Sequence, residues 1–125
     1  MGDYTPVHST GLPLTFTASA AVVGGATAEV TGNMTAATAP ADSQKVIGVF
    51  AHDAPAGSKV VVHTPSSSVE EVNVAAAVTA GQHVKAASAG RVAPFVVGTD
   101  AEVRRLGLCI SGQATADKPC RYLSA

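Results

Sequence analysis

Two stretches of the chain repeat each other, and that repetition limits the folds it can adopt. "AAVVGGATAEVT" (20–31) lies over "AAVTAGQHVKAA" (76–87), each with Ala-Ala-Val, two intervening residues and then a glycine, Gly25 or Gly81. Beyond glycine-centred turns at "GNMTA" (32–36) and "GRVAP" (90–94), "KVIGVFAHDAPAGSKVVVH" (45–63) lies over "RRLGLCISGQATADKPCRY" (104–122). This second match pairs Gly48 with Gly107, Phe50 with Cys109 and Val61 with Cys120. Upstream, "LTFTASA" (14–20) lies over "EEVNVAA" (70–76). The spacing between copies changes only across polar connections, where loops absorb length differences. Two copies are too few for a solenoid. The pattern predicts a single pseudo-twofold β domain over 14–125, made of repeats at about 14–66 and 70–125.

The local signals within each copy are those of strands. "LTFTASA" and "EVNVAAAV" alternate apolar and polar residues at the period of a half-buried strand. "KVIGVFA" and "KVVVH" are short β-branched runs, and the Asp, Pro and Gly of "HDAPAGS" between them supply a turn. A symmetric hairpin on that turn sets Phe50 opposite Val61 and, in the second copy, Cys109 opposite Cys120. Cross-strand neighbours of that kind can oxidise, so Cys109 and Cys120 form a candidate disulfide, although the expected state in a reducing cytosol is two free thiols. Ser67 and Glu70 form a capping pattern that would suit a helix, but the Thr-rich partner segment favours a strand. "TDAEVRRL" (99–106) has room for one helical turn capped by Thr99. The expected architecture is all-β, a small barrel or sandwich of roughly eight short strands, preceded by an extended N-terminal arm over 1–13.

Composition narrows the function. Hydrophobic residues make up 46% of the chain, yet aromatics only 4% and charged residues only 14%. The core is therefore Val, Ala, Leu and Ile, with Phe16, Phe50 and Phe95 as the large pieces. With a net charge of −1 and no basic cluster beyond Arg104-Arg105, nucleic-acid binding has no electrostatic basis. No apolar run is long enough for a membrane-spanning helix. Asp3 is the only charge before the small-residue stretch, so a basic signal-peptide n-region is missing.

Catalytic candidates are thin. His52-Asp53 begins a turn, where Asp is ordinary. His8, His63 and His83 lack ligand spacing with one another, so neither a metal nor a cofactor is expected. Ser66-Ser67-Ser68 lacks a nucleophile elbow. Glu70 and Glu71 are strand neighbours that point to opposite faces. Gly24-Gly25 is followed by no phosphate-loop Lys-Ser/Thr. No catalytic residue emerges. Low charge and small side chains instead suit burial against other chains.

With "DYTP", "LTFTASAAVVGG", "VTGNMTAATAPA", "KVIGVFAHDAPAGSKVVVH" and "AAAVTAGQHVKAASAGRVAP", the chain resembles the head decoration, or capsid cement, proteins of tailed phages infecting actinobacteria. The resemblance implies a non-enzymatic virion protein on the outer surface of the expanded head, made in the host cytoplasm. There it would bridge neighbouring major capsid proteins, often as a homotrimer. Tyr4, Pro6, Val7, His8 and Leu12 of the arm are the expected contacts to capsid or sister subunit. The alternative is a virion fibre or surface module that recognises host glycan. The scarcity of tyrosines, Tyr4 and Tyr122 alone, weighs against it.

Overall fold

Small β-branched residues at alternate positions build ten short strands among the described residues, 13–64 and 69–124 of a computed structural model. The first copy contributes β1 (Leu14–Ala18), β2 (Thr27–Gly32), β3 (Thr35–Thr38), β4 (Val46–Phe50) and β5 (Lys59–His63). The second contributes β6 (Val69–Asn73), β7 (His83–Ala86), β8 (Val92–Pro94), β9 (Arg105–Ser111) and β10 (Pro119–Ser124). The fold is all-β, and the "VEEVN" segment is strand rather than helix.

The first copy closes on itself, and the second curls until its two ends meet at a single bridge, a nearly closed second barrel. In the first, the order β1-β3-β2-β4-β5 returns to β1 as a closed barrel, with β1 parallel to β3 and antiparallel to β5. The second sheet runs β6-β10-β9-β7-β8, and one parallel bridge, Val74 to Val92, joins its two ends. That bridge is the counterpart of the Ala18–Ala36 pair between β1 and β3. Closure removes exposed sheet edges. A five-stranded bore is narrow, which explains the composition: Ala18, Ala28 and Ala36 are wholly buried around Phe16, Phe50, Val60 and Val62. Val72, Val74, Val84, Val92, Cys109, Cys120 and Tyr122 fill the second barrel.

The correspondence reaches individual hydrogen bonds. Val22 and Ala54 exchange both backbone bonds, and so do Val78 and Gln113. The Gly25 N–H donates to the Phe50 carbonyl as the Gly81 N–H does to that of Cys109. Gly57 and Asp117, both with positive φ (83° and 63°), donate to the carbonyls of Ala18 and Val74. The β2–β3 and β7–β8 registers correct one detail of the sequence alignment. Val30 pairs with Ala36 and Ala86 with Val92, a constant spacing of 56 residues between copies that takes Gly32 and Gly90 out of equivalence. Gly90 instead lies where a Cβ would strike the Thr38 side chain at 2.9 Å, so it allows the two barrels to approach.

Both expected hairpin registers shift. Phe50 pairs with Val62, not Val61. Val60 and Val62 point inward, and Phe50 can join them only in that register. Cys109 pairs with Tyr122 rather than Cys120, and a register slip between Arg121 and Tyr122 leaves Ile110 as the extra residue on β9. The helical turn near 99–106 is a 3-10 turn over Glu102–Arg104 with Ala101, not Thr99, at its N-terminus. The Thr99 and Asp100 N–H groups are both spent on the Val96 carbonyl, which places Thr99 in the preceding turn.

The barrels pack head to tail. Val49 of β4 points away from its own bore, is 4% exposed, and belongs to the second barrel's apolar cluster. Its counterpart on β9, Leu108, is 37% exposed. A twofold interface would place equivalent residues in equivalent surroundings, so the relation between the copies has a direction.

Candidate interaction surface

His52 and Asp53 are engaged in holding the fold. The Asp53 carboxylate accepts the Gly24 N–H at 2.8 Å. His52 Nδ1 lies 2.9 Å from the Asp53 carbonyl, and its Nε2 accepts the Val61 N–H at 3.3 Å. That pattern fixes the proton on Nδ1 and uses both ring nitrogens on backbone. His83 meets the Phe95 ring edge-on with centroids 6.5 Å apart. Gly25, with φ 87°, forms a turn. No group of three or more His, Cys, Asp or Glu side chains converges among the described residues. Ser66, Ser67 and Ser68 lie outside the described residues, as do the arm residues Tyr4, Pro6, Val7, His8 and Leu12.

Cys109 and Cys120 are free, buried thiols in the same apolar cluster. Burial, and then the neighbouring Cys109, push the Cys120 pKa up to about 11. Little nucleophilic thiolate exists there at neutral pH.

Glu70 and Glu71 do face opposite ways. Glu71 is exposed and accepts Arg121 Nε at 3.1 Å. Glu70 is half-buried at the seam between barrels, in a cleft it shares with Val46, Gly48, Leu106, Tyr122 and Ser124. Burial raises its pKa above the ordinary 4.5, against a smaller opposing pull from His63. The folded state therefore favours the protonated carboxyl. Its contribution to stability is full below the unfolded pKa and is lost as pH rises through the folded one. The Glu70→Gln variant should accordingly melt higher than the parent at pH 7 and match it at pH 3. Thermal denaturation at the two pH values checks this, and an equal shift at both would contradict it.

An ion cluster ties the barrels together. Lys85 Nζ on β7 sits 2.8 Å from Asp42 Oδ1 of the first copy and 2.9 Å from Asp100 Oδ1 of the second. Arg104 approaches the same two carboxylates at 3.8 and 3.5 Å. Asp42 reaches across because it takes a left-handed backbone (φ 60°) and donates its N–H to the Ala86 carbonyl. The Lys85 bond and the Val96 N–H hold the Asp100 carboxyl below the usual range, and the two carboxylates raise Lys85.

Exposed apolar side chains concentrate on the second barrel. Leu108 pairs with Leu123, which pairs with Val69, so the three share one outer face across β9, β10 and β6. They are 37%, 41% and 53% exposed, and Ile110 beside them 49%. The sequence reading missed this row, although "RLGLCIS" carried a signal for it. A strand apolar on both faces implies that its outer face is also covered.

Comparison with solved structures finds this architecture elsewhere. The chain superposes on the structure described as the head fiber gp8.5 N base in bacteriophage phi29, with a TM-score of 0.67. The match covers 91% of this chain and 93% of that one, at 13% sequence identity. The two share a fold. No protein-family model matches the chain, and no curated protein does.

Proposed function

We propose that this chain is a structural protein of a phage virion that binds the outer surface of the expanded head, bridges neighbouring major capsid proteins and stabilises the shell. The observation that carries the reading is the near-complete overlap with a base that belongs to a phage head fibre. The sequence resemblance to capsid cement proteins points the same way. A small, closed β body with 14% charged residues suits this task, since few charges need desolvation when it docks. Weak contacts repeated over a symmetric shell then add up to firm attachment. The role is structural rather than enzymatic, and homotrimers at threefold or quasi-threefold positions are the proposed unit.

The test is co-sedimentation with expanded heads that lack the protein. Saturable uptake at a fixed ratio to the major capsid protein is the expected result, and absence of uptake by folded protein refutes it. Deleting residues 2 to 12 should abolish uptake and leave the body folded, because the arm is the proposed contact. Undiminished binding by the truncated protein would reject that assignment.

The fibre reading has its own support, because the structural neighbour is described as a fibre base. Heat release of packaged DNA separates the two. A cement protein raises the temperature at which loaded heads leak, whereas the base of a fibre leaves it unchanged.

A further inference from the structure

The direction of the packing between barrels leaves each end of the chain with an unmatched half of the same interface. On the first barrel, the donor side is the outer face of β2, β4 and β5. There Thr27 pairs with Val49 and Val49 with His63. Thr27 is fully buried and Val49 nearly so, and Val49 packs into the second barrel's cluster. The receiving side is the seam end of the second barrel, where Glu70, Leu106, Tyr122 and Ser124 line a cleft with Val46 and Gly48.

Among the described residues, both sides recur with no further barrel against them. The donor row of the second barrel is His83, Leu108 and Leu123, continued to Val69 by pairing in register. It occupies the positions of Thr27, Val49 and His63, it is more apolar than they are, and its three aliphatic residues are exposed. The receiving end of the first barrel has Leu14 and Ile47 at the places of Glu70 and Leu106, and both are half-buried against that barrel's core.

We infer that the exposed row Val69, Leu108, Ile110 and Leu123 docks a second copy of this chain, head to tail, against the Leu14 and Ile47 end of its first barrel. The contact reproduces between chains the one that joins the two barrels within a chain. A heterologous contact of this kind closes into a ring if the rotation allows it and otherwise propagates. The proposed homotrimer is the closed case, six barrels around one axis. That stoichiometry rests on the proposed function, but the interface does not.

The experiment is sedimentation equilibrium of the full chain without heads, up to about 100 µM, beside the variants Leu108→Glu and Leu123→Glu. Both sites are exposed, so the variants should fold, and circular dichroism checks that they do. Met34→Glu, at an exposed apolar site on the first barrel outside either surface, is the control. The parent and the control should associate to a closed species of three 12.4 kDa chains. The row variants should weaken association by roughly tenfold or more, as expected for a central apolar contact. A cysteine pair, Leu108→Cys with Ile47→Cys, should cross-link only between chains.

A monomeric parent over that range would overturn the inference, and so would association that the row variants leave intact. Head uptake by protein whose association survives Leu108→Glu would likewise reject the interface while leaving the capsid role standing. A parent that associates through the row, as shown by its loss in Leu108→Glu and Leu123→Glu, yet is not taken up by heads would reject the capsid role and leave the interface standing.

Discussion

Alanine at Gly48 or Gly107 is expected to destabilise the protein by about 3 kcal/mol or more, the upper range for forcing extra atoms into a packed site. A Cβ at Gly48 would land on the backbone carbonyl of His63, and one at Gly107 on that of Leu123. These are the corresponding carbonyls of β5 and β10, the strands that pair with β4 and β9. The obstruction is backbone within a paired ladder, so no side-chain rotation relieves it. The strands must separate or the glycine strand must buckle. Gly48 also has φ 151°, a conformation that L residues rarely adopt. Gly25 and Gly81 provide the contrast. They have φ values of 87° and 96°, but no atom lies within 4 Å of where a Cβ would stand. Alanine there should cost only the conformational penalty, about 1 kcal/mol. Urea denaturation of the four variants tests the distinction. Equal losses at all four sites would mean that backbone conformation, not strand contact, sets the requirement for glycine.

These four glycines also show what the sequence can and cannot convey. Both pairs stand out in the alignment of the copies, yet nothing local separates the pair that permits a turn from the pair that permits strand contact. Alternation in "LTFTA" and "VEEVN" was enough to place strands, since Phe16, Ala18, Val72 and Val74 face inward at the expected period. Closure of the first copy was not legible. It depends on β1 meeting both β3 and β5, pairings between segments far apart in sequence. The hairpin registers failed for a related reason. Loop length does not determine turn geometry, and the Ile110 bulge appears only once β9 and β10 are aligned by their buried faces. The interaction surface was half legible. The reading looked to the arm and missed the two-faced apolar strand at "RLGLCIS", because a Leu in a strand looks the same whether it faces a core or a neighbour.

The cores of the two barrels suggest a second large effect, and it is one of coupling. Phe50 faces Val62 in the first barrel, and Cys109 faces Tyr122 in the second. The large residue is on β4 in one copy and on β10 in the other, so similar bores are filled from opposite strands. Phe50 is 1% exposed, Val62 0%, Cys109 1% and Tyr122 3%, which leaves little slack at either pair. Tyr122→Val alone should open a cavity and cost about 3 kcal/mol. Cys109→Phe alone should overpack the bore and cost about 2 kcal/mol. Together they recreate the Phe–Val arrangement of the first barrel, and the double variant should recover about 1–3 kcal/mol relative to the sum of the singles. Part of the Tyr122 loss lies outside the cycle. Tyr122 lines the seam cleft with Glu70, and burial and that carboxylate raise its pKa. The coupling, rather than the stability of the double variant, is therefore the quantity to compare. Additive losses in equilibrium denaturation would show that the two bores differ in shape, and that the exchange of large and small residues between strands is not compensation within a common design.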